Sequence, residues 1–251
     1  MRGLISKQVV KPEKIYCISE FGRGAKAFAE ETGVNSLGNS YSDLIATSDI
    51  LVLAFKPQQL VTQAEAVEKI SNHMVLSILA GTSLAKLTTS CPNAGTLVRT
   101  MPNTPGRIGK GITAYSTDKP VGDSDKETLR AILGSLGEVL EIDEGLMDVY
   151  TAVAGSGPAY VFEFIAALAE AGVKEGLSEE MALQMAKQTV FGAAALAKQT
   201  DDHPEALRNQ VTSKGGTTQA GLEAMAASNF RTMMHTTVRA AKERSIDMGK
   251  Q

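Results

Sequence analysis

The spacing of hydrophobic residues changes once, near Asp143, and that change constrains the fold more than any other feature of the 251-residue chain. Before it, short aliphatic or β-branched runs alternate with longer amphipathic stretches, the spacing of βα units around a parallel sheet. Lys14–Ile18, Ile50–Phe55, Met74–Leu79, Thr96–Met101, Gly111–Ser116 and Glu138–Ile142 read as strands, and Arg23–Thr32, Ser40–Ala46, Pro57–Ser71 and Asp123–Leu136 as helices between them. Right-handed crossovers predict one doubly wound, Rossmann-like α/β sheet. After Asp143 the strand signals stop. Ala, Leu, Met, Glu and Lys fill Gly157–Gly172, Ser178–Lys198, Pro204–Gln210, Thr217–Ala227 and Phe230–Met248, which predicts an all-α second domain. The boundary is expected near Gly145, with a dinucleotide-binding domain over 1–145 and a helical domain over 146–251.

The helices are apolar on more than one stripe, as at Ala193 to Ala197, so a single small bundle has difficulty burying them. A partner subunit is the expected cover, and a compact monomeric bundle is the alternative.

With 43% hydrophobic residues, 21% charged residues and a formal charge of -3, the chain is neither disordered nor built to grip polyanions, so nucleic acid is not an expected partner. Cys17 and Cys91 form no C-x-x-C pair, and His73, His203 and His235 offer no metal-ligand spacing, so no metal is expected. Both cysteines read as reduced, structural thiols. Apolar runs such as Ile50–Phe55 fall short of the roughly eighteen residues that suggest a membrane span, and no signal core opens the chain, so the expected location is cytoplasmic.

Several motifs invite chemistry. Gly22-Arg23-Gly24-Ala25-Lys26-Ala27 fits G-x-G-x-x-A between a strand and a helix, with Asp43 about twenty residues on. Three small residues are a weak match, and Glu20-Phe21 is a bulky, acidic approach to a phosphate; a flexible strand-to-helix turn explains the same letters. Lys56-Pro57, Ala80-Gly81-Thr82 and Met101-Pro102-Asn103-Thr104-Pro105 follow three consecutive strands, where open α/β sheets bind ligands. In the second half, Ser213-Lys214-Gly215-Gly216-Thr217-Thr218 precedes a helix. Converging main-chain N–H groups and the helix terminus could hold a carboxylate there, or a threonine could simply cap the helix. Gly155-Ser156-Gly157-Pro158-Ala159-Tyr160 reads chiefly as a site of close packing. No nucleophile-base pair or carboxylate pair stands out, which suits hydride transfer, where a cofactor carries the chemistry.

Taken in order, the segments DILVLAFKPQ (Asp49–Gln58), SILAGTS (Ser77–Ser83), RTMPNTP (Arg99–Pro105), AGSGPAY (Ala154–Tyr160) and VTSKGGTTQAG (Val211–Gly221) resemble pyrroline-5-carboxylate reductases. The resemblance covers essentially the whole chain. It implies reduction of 1-pyrroline-5-carboxylate to L-proline with NADPH or NADH, holding donor and acceptor carbons roughly 3–3.5 Å apart in a dry site. It implies cofactor contacts at Asn39, Lys56, Pro57, Ala80, Gly81, Asn103 and Thr104, with Ser19 and Arg23 suited to a 2′-phosphate and Glu20 to a free ribose hydroxyl. It implies substrate contacts at Ser213, Gly215, Gly216, Thr217 and Thr218, with the Thr218 hydroxyl the candidate catalytic donor near the ring nitrogen. Lys214 departs from the proline common in the family. The resemblance also implies interleaved helical dimers, with rings such as a decamer beyond them, and a site between the two domains.

In that register Lys14–Ile18 corresponds to the family's second strand, and Arg2-Gly3-Leu4 to the end of its first helix. The first strand and the phosphate-binding glycine loop are then expected to be missing, as if the chain began at an internal methionine of a longer one, and Gly22 and Gly24 cannot replace them. Two rivals follow: a β-hydroxyacid dehydrogenase relative, whose expected lysine on a long interdomain helix is found only at Lys174, and a non-catalytic helical dimer scaffold that has lost its cofactor site.

Overall fold

The computed structural model describes residues 1–250, which group into two compact units, one of residues 1–156 together with those from Ala241 onward, the other Gly157–Ala240. The first unit runs α1 (Arg2–Ser6), β1 (Tyr16–Cys17), α2 (Arg23–Thr32), β2 (Asn35–Ser36), α3 (Tyr41–Thr47), β3 (Ile50–Leu53), α4 (Gln59–Thr62), α5 (Ala64–Glu68), β4 (Met74–Ser77), α6 (Leu84–Ser90), β5 (Thr96–Met101), β6 (Gly111–Thr117), α7 (Asp123–Gly134), β7 (Gly137–Glu141) and α8 (Met147–Tyr150). All six expected strands form. The helical segment begins at α9 (Gly157–Lys174) and continues through α10 (Glu179–Gln199), α11 (Pro204–Gln210), α12 (Thr217–Ala227) and α13 (Phe230–Gly249).

Two expectations need correction. The strands form two sheets: β1 and β2 pair in parallel by themselves, and the other five run in the order β3-β4-β5-β6-β7. Within the larger sheet β6 is antiparallel to β5, whereas the remaining neighbours are parallel. Only residues 102–110, which include the 3-10 turn Thr104–Ile108, join β5 to β6, too little chain for a crossover, so the strand must turn back. The helix expected over Pro57–Ser71 breaks at Gln63 into α4 and α5, where the Thr62 hydroxyl donates back to the Gln59 carbonyl (2.9 Å) instead of continuing the turn. Two short elements, β2 and α6, carried too little periodicity to be foreseen.

Strand alternation divides the core. Leu51, Leu53, Val75 and Leu97 face α4, α5 and α6 through Leu60, Val67, Leu84 and Leu87, while Leu76, Val98 and Tyr115 face α7 through Leu129 and Leu133. Both cysteines are free and buried, and burial pushes the Cys91 thiol up to about 11.

The helical unit is built differently. Its buried apolar cluster consists of Ala169, Ala182 and Ala186, with Ile165 and Leu177 against them, where α9 packs on α10; α11 and α12 bury no residue. Phe162, Phe164, Met185, Phe191 and Leu196 are instead exposed, Phe191 to 68%. Contrary to the expectation from run lengths, the successive helical turns over Glu144–Lys174 contain a window apolar enough, by length and composition only, to cross a membrane (mean hydropathy 1.4).

Candidate functional site

The cofactor candidates all lie in the first unit, on segments that follow strands. Lys56 and Pro57 follow β3, Ala80 and Gly81 follow β4, and Asn103 and Thr104 follow β5. These three strands are parallel neighbours, so their carboxyl ends, and with them the three loops, share one edge of the sheet. Ser19 and Asn39 follow β1 and β2 in the same sense. The Gln59 side chain reaches the Glu20 carboxylate at 3.5 Å, which brings the loop after β1 beside the loop after β3 although no ladder joins their strands.

Each loop is held by identifiable bonds. Ser19 donates its amide to the Gly38 carbonyl (2.9 Å), and its hydroxyl accepts from Ala25 N (2.9 Å) at the start of α2; the hydroxyl proton remains available for a ligand. The N-cap of α2 is Gly22 in the left-handed region, so the apparent fingerprint forms a local turn closed by Ser19 rather than an open cradle. Lys56 N donates to Gln59 Oε1 (3.0 Å). Asn103 spends most of its amide on the protein, since Oδ1 accepts from Ile112 N and Nδ2 donates to the Ala154 carbonyl, both at 3.0 Å, which leaves one side-chain N–H. Gly81 has φ +72, a conformation that the absent side chain permits.

Sequence reasoning missed Glu144. Its carboxylate accepts from Leu84 N at 2.7 Å, just beyond the Ala80–Gly81 turn, and from Arg99 Nη1 at 2.8 Å. One carboxylate thus fixes the start of α6 to β5. Its partners lie far off in the chain, so no local motif signals the arrangement.

The substrate candidates all lie in the second unit, at the amino end of α12. The helix N-cap is Gly216, with no capping side chain, so the alternative in which a threonine caps the helix fails. Its first intrahelical bond runs from Ala220 N to the Gly216 carbonyl (3.2 Å), so the amides of Thr217, Thr218 and Gln219 precede the helical ladder. Gly216 N donates to the Ser213 carbonyl (3.0 Å), and Ser213 folds so closely over Gly216 that a Cβ there would lie 2.4 Å from its hydroxyl. Gly215, at φ +73, donates its amide to Gln219 Oε1 (2.7 Å), and Gln219 in turn donates to Glu223 (2.8 Å). These bonds restrain the loop where proline would have done so, with Lys214 exposed. Thr217 and Thr218 are exposed. Converging amides, a positive helix end and two hydroxyls suit a small anion.

A Rossmann-like unit with loops at the carboxyl ends of parallel strands, followed by a helical unit in which α12 starts without a side-chain cap, is the architecture of a two-domain nicotinamide-dependent oxidoreductase. Residues 144–248 match the family described as pyrroline-5-carboxylate reductase dimerisation, and residues 1–81 match one described as NADP oxidoreductase, coenzyme F420-dependent. A pyrroline-5-carboxylate reductase of Synechocystis is 38% identical over 99% of this chain and 92% of its own length. Among solved structures, the pyrroline-5-carboxylate reductase of Coxiella burnetii superposes with a TM-score of 0.91 at 30% identity, over all of this chain and 93% of its own. The Plasmodium falciparum pyrroline carboxylate reductase with NADP bound gives 0.85 at 31% identity, over 98% of this chain and 92% of its own. The chain belongs to the pyrroline-5-carboxylate reductase family.

Proposed function

We propose that this protein reduces 1-pyrroline-5-carboxylate to L-proline, the last step of proline biosynthesis, with NADPH or NADH as the donor. The observation that carries the reading is membership of the family over both units together, which supports the enzyme over a helical scaffold or a β-hydroxyacid dehydrogenase. The bound nicotinamide supplies the hydride. The protein's own contribution is position: Ser19, Asn39, Lys56, Pro57, Ala80, Gly81, Asn103 and Thr104 hold the dinucleotide through main-chain and amide groups, and Ser213, Gly215, Gly216, Thr217 and Thr218 hold the substrate carboxylate. Thr218 donates its hydroxyl near the ring nitrogen. The open amides at the amino end of α12 support this assignment.

The uncovered apolar helices and the dimerisation-family match support a homodimer, and we extend this to a ring of dimers such as a decamer and to a cytoplasmic location. The decisive assay follows oxidation of NADPH and of NADH by purified protein given 1-pyrroline-5-carboxylate, beside a version extended upstream by a strand and a glycine loop. Turnover dependent on the imine is expected. No turnover by either version would leave the scaffold as the better account.

A further inference from the structure

The end of α13 is exposed except at one point. Ser245 is 8% exposed, between exposed Arg244 and Ile246, and its hydroxyl donates to Asp148 Oδ1 of α8 at 2.6 Å. One turn further on, Met248 and Gly249 rest on Gly81. A Cβ built on Gly81 would lie 3.3 Å from the Met248 carbonyl carbon and 3.4 Å from Gly249 N, and a Cβ on Gly249 would lie 3.2 Å from the Gly81 carbonyl oxygen. Two glycine backbones therefore approach each other where no side chain fits easily. The far side of the same turn is fixed by Glu144 on Leu84 N. The turn after β4 is thus held between a carboxylate and the last turn of a helix.

We propose that the last turn of α13, docked through Ser245 on Asp148, is a positioning element that sets the backbone of Ala80 and Gly81 for the dinucleotide. Ser245 and Asp148 act through Gly81, and they are positioning residues. The inference rests on the reading of Ala80 and Gly81 as cofactor contacts. A docked helix end narrows the conformations open to the turn before the ligand arrives, which lowers the ordering cost of binding.

The test joins amide exchange of the ligand-free chain to steady-state kinetics. Thr82 N donates to the Leu79 carbonyl within the turn, so its exchange rate reports the opening of that turn. Ser245→Ala should speed Thr82 exchange about tenfold, the scale of one hydrogen bond to a charged acceptor. It should also raise KM for the dinucleotide about threefold to tenfold while leaving KM for the imine unchanged. Asp148→Asn keeps an acceptor, though a neutral one, and should change Thr82 exchange less than Ser245→Ala does, whereas Gly249→Val pushes on Gly81 directly and should reproduce the Ser245→Ala pattern. Unchanged Thr82 exchange in Ser245→Ala overturns the docking. Faster exchange with an unchanged KM for the dinucleotide, or with both KM values raised alike, overturns the positioning role. Absence of turnover in the unaltered protein refutes the proposed reaction and the cofactor half of this inference with it, while the exchange result still decides whether the helix end holds the turn.

Discussion

Glu144 and Arg99 should be unequal partners, and the inequality follows from what each leaves behind. The Arg99 side chain is 10% exposed and that of Glu144 33%, with 2.8 Å between Nη1 and Oε1. Glu144→Ala removes the carboxylate from a guanidinium nine-tenths buried and also from Leu84 N, the first amide of α6. An uncompensated buried charge and an unpaired amide cost about 3 kcal/mol, the low end of the usual range because water reaches part of the site. Arg99→Met keeps the aliphatic stem buried and leaves a carboxylate that is still bonded to Leu84 N and still wetted, so its cost is about 1 kcal/mol. With a urea slope of about 2–3 kcal/mol per molar, the midpoints should fall by about 1 M and by less than about 0.5 M. Tyrosine fluorescence reads mainly the right unit, since the chain has no tryptophan and four of its five tyrosines, Tyr16, Tyr41, Tyr115 and Tyr150, lie in the first unit. The double variant should cost less than the two single losses added, because removing both charges leaves neither stranded. Arg99→Met as damaging as Glu144→Ala, at equal slopes, would refute the argument from stranded charge.

Three further outcomes are expected. Thr218→Val should lower kcat/KM for the imine about tenfold to a hundredfold while leaving dinucleotide binding unchanged, which single-turnover kinetics and cofactor titration would check. Burial raises the Cys91 thiol from 9.0 to about 11, so the unfolded chain loses this proton first and stability should fall as pH rises from about 9 toward 11; Cys91→Ala should flatten that limb in thermal melts taken across the window. Phe191→Glu, on an exposed apolar position of α10, should shift the light-scattering mass from dimer toward monomer without unfolding the first unit, and an unchanged mass would place the subunit contact elsewhere.

What the sequence disclosed depended on how local the cause was. Short aliphatic or β-branched runs such as Thr96–Met101 and helical stretches such as Arg23–Thr32 carried their own signal, and both ends of each held in the structure. The direction of β6 did not, because strand polarity is set by the length of the connection and not by the letters of the strand. The glycine-rich turn at Gly22 matched a phosphate-binding pattern in letters alone; the structure shows its helix start already bonded to Ser19. The bonds of the loop before α12 are local, within one short segment from Ser213 to Gln219, yet the letters left a threonine cap and an uncapped terminus equally open, and the structure has Gly216 at the cap. Glu144 and Asp148 were illegible, since Arg99, Leu84 and Ser245 lie forty-five, sixty and ninety-seven residues from them.

Those silent residues share one stretch of chain. Glu144 bonds Leu84 and Arg99, Asp148 bonds Ser245, the Tyr150 hydroxyl donates to the Ile112 carbonyl (2.8 Å), and the Ala154 carbonyl, in a wider π-type turn over Thr151–Gly155, accepts from Asn103. The segment from Glu144 to Gly155 therefore fixes the turns after β4 and β5, the two that hold four of the cofactor candidates, although none of its own residues was a cofactor candidate. Hydride transfer explains why polar groups are spent this way. A reaction whose reactive carbon arrives with the cofactor asks the protein for placement, and a misplacement of about 1 Å can cost a hundredfold in rate. Side chains that lock backbone turns against one another supply that placement better than ligating groups at the end of flexible stems.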